Sequence, residues 1–177
     1  IKENLIDIKE DGSFRLNMKY FDYCPGLKMT SKHFDRLFNS PARKPEEEIL
    51  PACLELGIGV IPHSALAKAM LTGKYRPGHV FPSDDERFNK PEFENDVFIP
   101  AMLVVEKLLE WAGDHGHEGA QLAIAWTLAH PAVTSCIVGA KTPEQAIYNA
   151  AAGEWSLDEN DMSEITEILG DFQLTRF

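Results

Sequence analysis

The stretch from Gly57 to Tyr75 constrains this chain more than any other part of it. Ile58, Val60 and Ile61 form a short apolar run set off by Gly57 and Gly59, the pattern of a buried strand. The run gives way to the small polar pair His63 and Ser64, and apolar residues resume from Ala65. A strand that stops at a serine and passes into a long loop is where α/β proteins place ligand contacts. A second apolar run at residues 133–138 reads as another strand, followed at once by Gly139, Ala140, Lys141 and Thr142. Thr142 suits a helix cap and Pro143 the first helical position. Backbone N–H groups at such a helix start favour an anion, and Lys141 adds a point charge. A terminal phosphate fits that pair.

The remaining periodicity is helical. Residues 45–55 carry a proline and three glutamates in the first turn and are closed by Gly57, which predicts a helix. Residues 76–100 turn to Pro, Asp, Phe and Asn without period, the composition of a long loop. Residues 97–112 place Ile99, Met102, Leu103, Val105, Leu108, Leu109 and Ala112 near helical spacing, and Gly113 ends the run. Residues 118–130 follow with Leu122, Ala125, Trp126 and Ala129 as the buried stripe. Residues 158–169 give a last helix with Met162, Ile165, Ile168 and Leu169 facing inward. Trp126 is read as packing.

Two segments resemble one known family. The run His63-Ser64-Ala65-Leu66-Ala67-Lys68-Ala69-Met70-Leu71-Thr72-Gly73-Lys74-Tyr75 is similar to the aldo-keto reductase pattern Tyr-Ser-Pro-Leu-Ala-x-Gly-x-Leu-Thr-Gly-Lys-Tyr. Downstream, Ile137-Val138-Gly139-Ala140-Lys141-Thr142-Pro143-Glu144-Gln145 resembles the loop after that family's eighth strand. Gln121-Leu122-Ala123-Ile124-Ala125-Trp126 resembles the helix before it, and Asp85-Glu86-Arg87 matches an Asp-x-Arg in the intervening loop. The resemblance covers residues 43–169. It implies an α/β fold, the helix-rich C-terminal half of a (β/α)8 TIM barrel, and an NADPH-dependent reduction of a carbonyl to an alcohol. It also implies roles for individual residues. Ser64 and Leu66 would lie along the cofactor pyrophosphate with Arg87 closing over it. Lys141 and Thr142 would take the adenosine 2′-phosphate, with Gln145 and Asn149 near the adenosine, and Gly139 would also belong to the cofactor site. A small-molecule carbonyl is the implied substrate once a complete barrel forms.

Four departures from the family pattern bear on the cofactor roles. Ala65 replaces a proline, Ala69 a glycine, Val138 a proline, and Tyr148 a glutamate. Ala69 matters most physically, because a methyl stands where the backbone is expected to adopt positive φ or approach a phosphate. Tyr148 removes an acceptor expected to face the adenine amino group. The family's Asp, Tyr, Lys and His set lies on earlier strands, and no catalytic residue is nominated here; Lys19, Tyr20, Asp22 and Tyr23 lack its flanking pattern. Two functions therefore stay open: the cofactor-binding half of a carbonyl reductase, or a non-catalytic half-barrel serving as a scaffold or interaction module.

Length and composition set the outer limits. A complete barrel takes about 250 residues, with about 200 as a lower bound, and this chain has 177. With Ile1 in first place, a fragment, a processed product or a list of ordered residues is the expectation. A half-barrel exposes parallel sheet edges, which predicts self-association or a partner segment. Residues 1–42 form a separate segment of uncertain fold, and residues 43–177 the half-barrel. In the first, 5–9 and 14–20 alternate around Asp11-Gly12 and predict a β-hairpin. Cys24-Pro25-Gly26 reads as a turn and residues 30–38 as a short helix. A net charge of −11 with 17 scattered basic residues argues against nucleic acid and anionic membranes. Three widely spaced cysteines without a Cys-x-x-Cys pair suit free thiols in the cytoplasm. Asp114-His115-Gly116-His117 reads as an exposed turn, and no metal is expected there.

Overall fold

Two segments that read as buried strands lie side by side and parallel, but of the first apolar run only Val60 is buried, while Ile58 and Ile61 are exposed. Val60 pairs with Val133 and His63 with Ile137. The Val60 N–H donates to the Ala132 carbonyl, the Thr134 N–H to Val60, and the Ile137 N–H to Pro62, all within 2.8–2.9 Å. The computed structural model describes residues 6–8, 14–16 and 50–170. Full strands were expected at 58–61 and 133–138, and single bridges stand there instead. Pro62 has no N–H to give a ladder. The second segment also carries one more residue between the paired positions than the first, as a bulge does.

Near the N-terminus, β1 (Ile6–Ile8) and β2 (Phe14–Leu16) pair antiparallel with Asp7 opposite Arg15, as the alternating pattern predicts. The Asp11-Gly12 turn, Cys24-Pro25-Gly26, residues 30–38 and the start of the 45–55 helix lie outside the described residues. What is described of that helix is α1 (Leu50–Glu55), whose Leu50 and Cys53 pack on Val60 and Ala132.

The longest helix, α2 (Asn95–Asp114), begins before the expected position and holds Pro100 inside it. A 3-10 turn at Pro91–Phe93 leads into it. The face it buries carries Phe98, Ala101, Met102, Val105 and Leu108, with Phe98 and Met102 fully enclosed. Leu103, expected on that face, is 53% exposed, because its position points away from the stripe through 98, 102 and 105. Phe81 and Phe93 meet edge-on at 5.0 Å, and Phe98 completes the aromatic cluster with them. Sequence periodicity could not show this, because Phe81 and Phe93 sit in the aperiodic loop.

Helix α3 (Gly119–Leu128) is buried on all sides from Gly119 to Ala125, as befits a helix of small and apolar residues. Of its expected stripe, Leu122 and Ala125 are buried, Trp126 is half-buried against the core, and Ala129 is exposed. Glu118 and Gln121 form a reciprocal cap at its start. Helix α4 (Pro143–Ala151) starts at Thr142, and α5 (Glu159–Leu169) at Asp158, whose carboxylate accepts from the Asp161 N–H. Ile165 of α5 packs with Leu108, Trp111 and Leu122. His115 and His117 stack on Trp111 and Trp155 at 3.9 and 3.8 Å, which gives that turn a packing role. No group of three or more His, Cys, Asp or Glu among the described residues could hold a metal ion. Likewise, no helix among the described residues is long and apolar enough to cross a membrane.

Gly119 is the tightest point between these layers. A Cβ there would collide with Leu109 Cδ2 and with the Leu71 carbonyl oxygen, and that carbonyl is backbone. Alanine is the better helix former in an open helix, so the two effects oppose each other. Gly119→Ala is expected to destabilise the fold by about 2 kcal/mol through overpacking, read as a lower midpoint in urea unfolding.

Candidate functional site

Parallel pairing of His63 with Ile137 carries a direct consequence: the segments that follow, Ser64 onward and Val138 onward, leave the same end of the paired strands. The two sequence motifs therefore share one mouth. All eight residues nominated from sequence lie in or beside these exits.

The first exit is a tight, wound loop. Ser64, Ala67, Lys68 and Ala69 all have left-handed backbone, with φ of 65°, 53°, 51° and 69°. None is glycine. Consecutive turns hold the path: the Ala67 N–H donates to Ser64, Met70 to Ala67, and the Thr72 hydroxyl to the Ala69 carbonyl at 2.8 Å. From below, Ala67, Met70 and Leu71 are buried in the aromatic core, with Leu66 packed against it. Ser64 is exposed, and its Oγ lies 2.7 Å from His63 Nδ1. Burial lowers the His63 pKa, which favours the neutral ring. His63 was not singled out from sequence, although a titratable side chain at a strand end was the available signal.

Arg87 does reach this loop, as a clasp. Its Nη1 donates to the Lys68 carbonyl at 3.1 Å, while Nε and Nη2 bind the two oxygens of Asp85. The guanidinium lies over Tyr75 and Phe81 at 4.8 and 4.9 Å. The Arg87 hydrogen bonds hold Asp85 at about 2, below the ordinary 3.8. A carboxylate depressed in this way stabilises the clasp above 3.8 and loses that contribution as pH falls through about 2.

The second exit is a helix start. The Lys141 N–H donates to Gln145 Oε1 at 2.8 Å, the Gln145 N–H to Thr142 Oγ1 at 3.3 Å, and Asn149 Nδ2 to the Gly139 carbonyl at 3.3 Å. Lys141, Gln145 and Thr142 thus form one set of bonds at the head of α4, and Asn149 and Gly139 a second beside it. The Lys141 side chain is exposed. Glu144 is held below its usual range by its own backbone N–H and the Thr142 hydroxyl, so this helix start already favours negative charge. The exposed Lys141 ammonium at this helix start suits a phosphate. Beside it, a cavity of about 380 Å³ opens between the second strand segment, α3 and α4, lined by Ile124, Leu128, Cys136, Val138, Asn149 and Ala150. Burial pushes the Cys136 thiol up to about 11, too high for a reactive thiolate near neutral pH.

Tyr148 turns toward Glu118. Its hydroxyl is buried without a hydrogen bond of ordinary geometry, and burial, then the Glu118 carboxylate, raises its pKa to about 12.

A profile of the Aldo/keto reductase family matches residues 33–170, beginning ahead of the motifs that carry the resemblance. The chain is 29% identical over 133 residues to the aldo-keto reductase YhdN of Bacillus subtilis (strain 168), covering 75% of this chain and 40% of that protein. It is 38% identical over 120 residues to a probable voltage-gated potassium channel subunit beta of Arabidopsis thaliana, covering 65% of this chain and 36% of that one. Among solved structures, the glycerol dehydrogenase AKR11B4 of Gluconobacter oxydans superposes with a TM-score of 0.68 at 26% identity, over 77% of this chain and 41% of its own. The chain thus spans well under half the length of these relatives.

The left-handed Ala69 generates a prediction. An L side chain in this region costs about 1–2 kcal/mol relative to the right-handed form, and glycine does not bear that cost. Ala69→Gly is expected to raise stability by about 1 kcal/mol, after the glycine's extra freedom in the unfolded chain is subtracted. Thermal and urea unfolding of the variant measure it.

Proposed function

The chain belongs to the Aldo/keto reductase family, with the partial barrel of that fold, and on that footing we propose that it is the cofactor-binding part of an NADPH-dependent carbonyl reductase. The observation that carries the reading is the shared mouth: the Ser64 loop and the Lys141–Thr142 helix start leave the same end of two parallel segments. A nicotinamide cofactor held there would supply the hydride. The chain's own residues bind and orient. Ser64 and the turns through Leu66 line the pyrophosphate, and Arg87 keeps that loop in place through the Lys68 carbonyl. Lys141 and Thr142 at the α4 start meet the 2′-phosphate, which gives the preference for NADPH over NADH. Gln145 and Asn149 hold the backbone at 141 and 139 in place beside those contacts. The small-molecule carbonyl would enter at the same mouth.

One observation favours a second reading, in which the half-barrel is a non-catalytic scaffold. Tyr148 stands where the family pattern has glutamate, and its buried hydroxyl, turned toward Glu118, makes no hydrogen bond of ordinary geometry among the described residues. Ile58, Ile61 and Ile137 are also exposed beside the paired segments, a surface on which a second copy or a partner segment would sit.

Titration of the chain with NADPH, followed by tryptophan fluorescence, separates the two. The reductase reading predicts saturable binding, about tenfold weaker for NADH and about tenfold weaker for NADPH after Lys141→Ala, as loss of one charge-assisted phosphate contact would give. A folded chain that binds neither nucleotide at millimolar concentration leaves the scaffold reading standing.

A further inference from the structure

Loop 64–69 is an unlikely path for the residues that occupy it. Ser64, Ala67, Lys68 and Ala69 are left-handed without a glycine among them. Such backbone persists only where its surroundings over-determine it. The buried side chains of Ala67, Met70 and Leu71 hold the inner side. Residues 76–94 hold the loop at Lys68, from both its main chain and its side chain. Its carbonyl accepts from Arg87 Nη1 at 3.1 Å. Its ammonium meets Glu92 Oε1 at 3.2 Å and lies 6.0 Å above the Phe93 ring.

Glu92 is the unusual partner. It is 5% exposed, deeper than a carboxylate is normally found, at the centre of the 3-10 turn Pro91–Phe93. Among the described residues Lys68 is the cation that pairs with it, and losing that pair would leave the buried charge without it. Arg87 is itself fixed by Asp85 and by the faces of Tyr75 and Phe81. The segment after the loop, residues 76–94, therefore folds back and locks the loop at one point with two independent contacts.

We propose that Glu92 is a positioning residue for the cofactor site: through Lys68, and together with Arg87, it straps the Ser64–Ala69 loop into the left-handed path that presents Ser64 and the loop amides at the mouth. The role rests on the NADPH reading above. Glu92 touches no ligand. It sets the fraction of molecules whose loop is ready to bind, and apparent affinity scales with that fraction.

The sign of one substitution distinguishes this from simple electrostatics. Glu92→Gln removes a negative charge near a site for a polyanion. If Glu92 acted only as a neighbouring charge, NADPH would bind more tightly to the variant. The strap predicts the opposite: NADPH and NADH both bind about tenfold more weakly, because the competent fraction falls by that factor. Their ratio stays unchanged, since Lys141 and Thr142 are untouched, whereas Lys141→Ala lowers the ratio. In the absence of nucleotide, amide hydrogen exchange at residues 66–72 rises by a similar factor while exchange in α5 does not change. Tighter or unchanged binding with unchanged exchange at 66–72 overturns the proposal. If the parent chain binds no nucleotide, the reductase reading fails, and the exchange comparison alone decides whether the strap exists. Should Glu92→Gln not fold, Glu92→Asp keeps the charge but shortens its reach to Lys68, and smaller changes in the same directions are expected.

Discussion

The parallel contact between His63 and Ile137 is the constraint on which the remaining geometry depends, because it sets where two distant parts of the chain emerge. Ser64 and Gly139 follow those residues within two positions, so neither loop can leave the common mouth while the contact lasts. Pro62 shapes this contact twice over. It withholds an N–H that would extend the ladder, and its carbonyl accepts from Ile137. The outcome is a minimal pairing whose ends are free to diverge into the two loops.

Packing then stabilises what local backbone preference opposes. The 64–69 loop contains four left-handed residues that are not glycine, and its apolar members are sunk among Tyr75, Phe81, Phe93 and Phe98. The aromatic cluster and α2 form the base on which the loop rests. Arg87 and Glu92 close it from the other side at Lys68. By contrast, the α4 site is built almost entirely from neighbours in sequence. Thr142, Gln145 and Asn149 lie three and four residues apart on one helix face, and their hydrogen bonds are short-range.

That difference explains how much of the protein was legible in its sequence. Helix positions followed from period and caps: Thr142 and Asp158 cap where their residue types predict, whereas the Glu118–Gln121 cap emerged only in the structure. The positive φ at Ala69 was also readable, because the family pattern carries glycine there and the structure keeps the glycine conformation. Strand extent was not, since periodicity ignores the missing N–H of Pro62. Leu103 was misplaced because an apolar residue next to a buried stripe looks like part of it. Glu92 was invisible for a different reason. Nothing local marks a glutamate in an aperiodic loop as buried, and its partner Lys68 lies 24 residues away. The same holds for the Arg87 bond to the Lys68 carbonyl, which no side-chain pattern encodes.

The central claim is that the two loop exits act as one site. Amide hydrogen exchange with and without saturating NADPH, resolved at residues 64–72 and 139–146 together, tests it most directly. The account predicts that both segments gain protection at the same nucleotide concentration, while α5 does not change. Protection of one segment alone, or of neither in a folded chain, would contradict it.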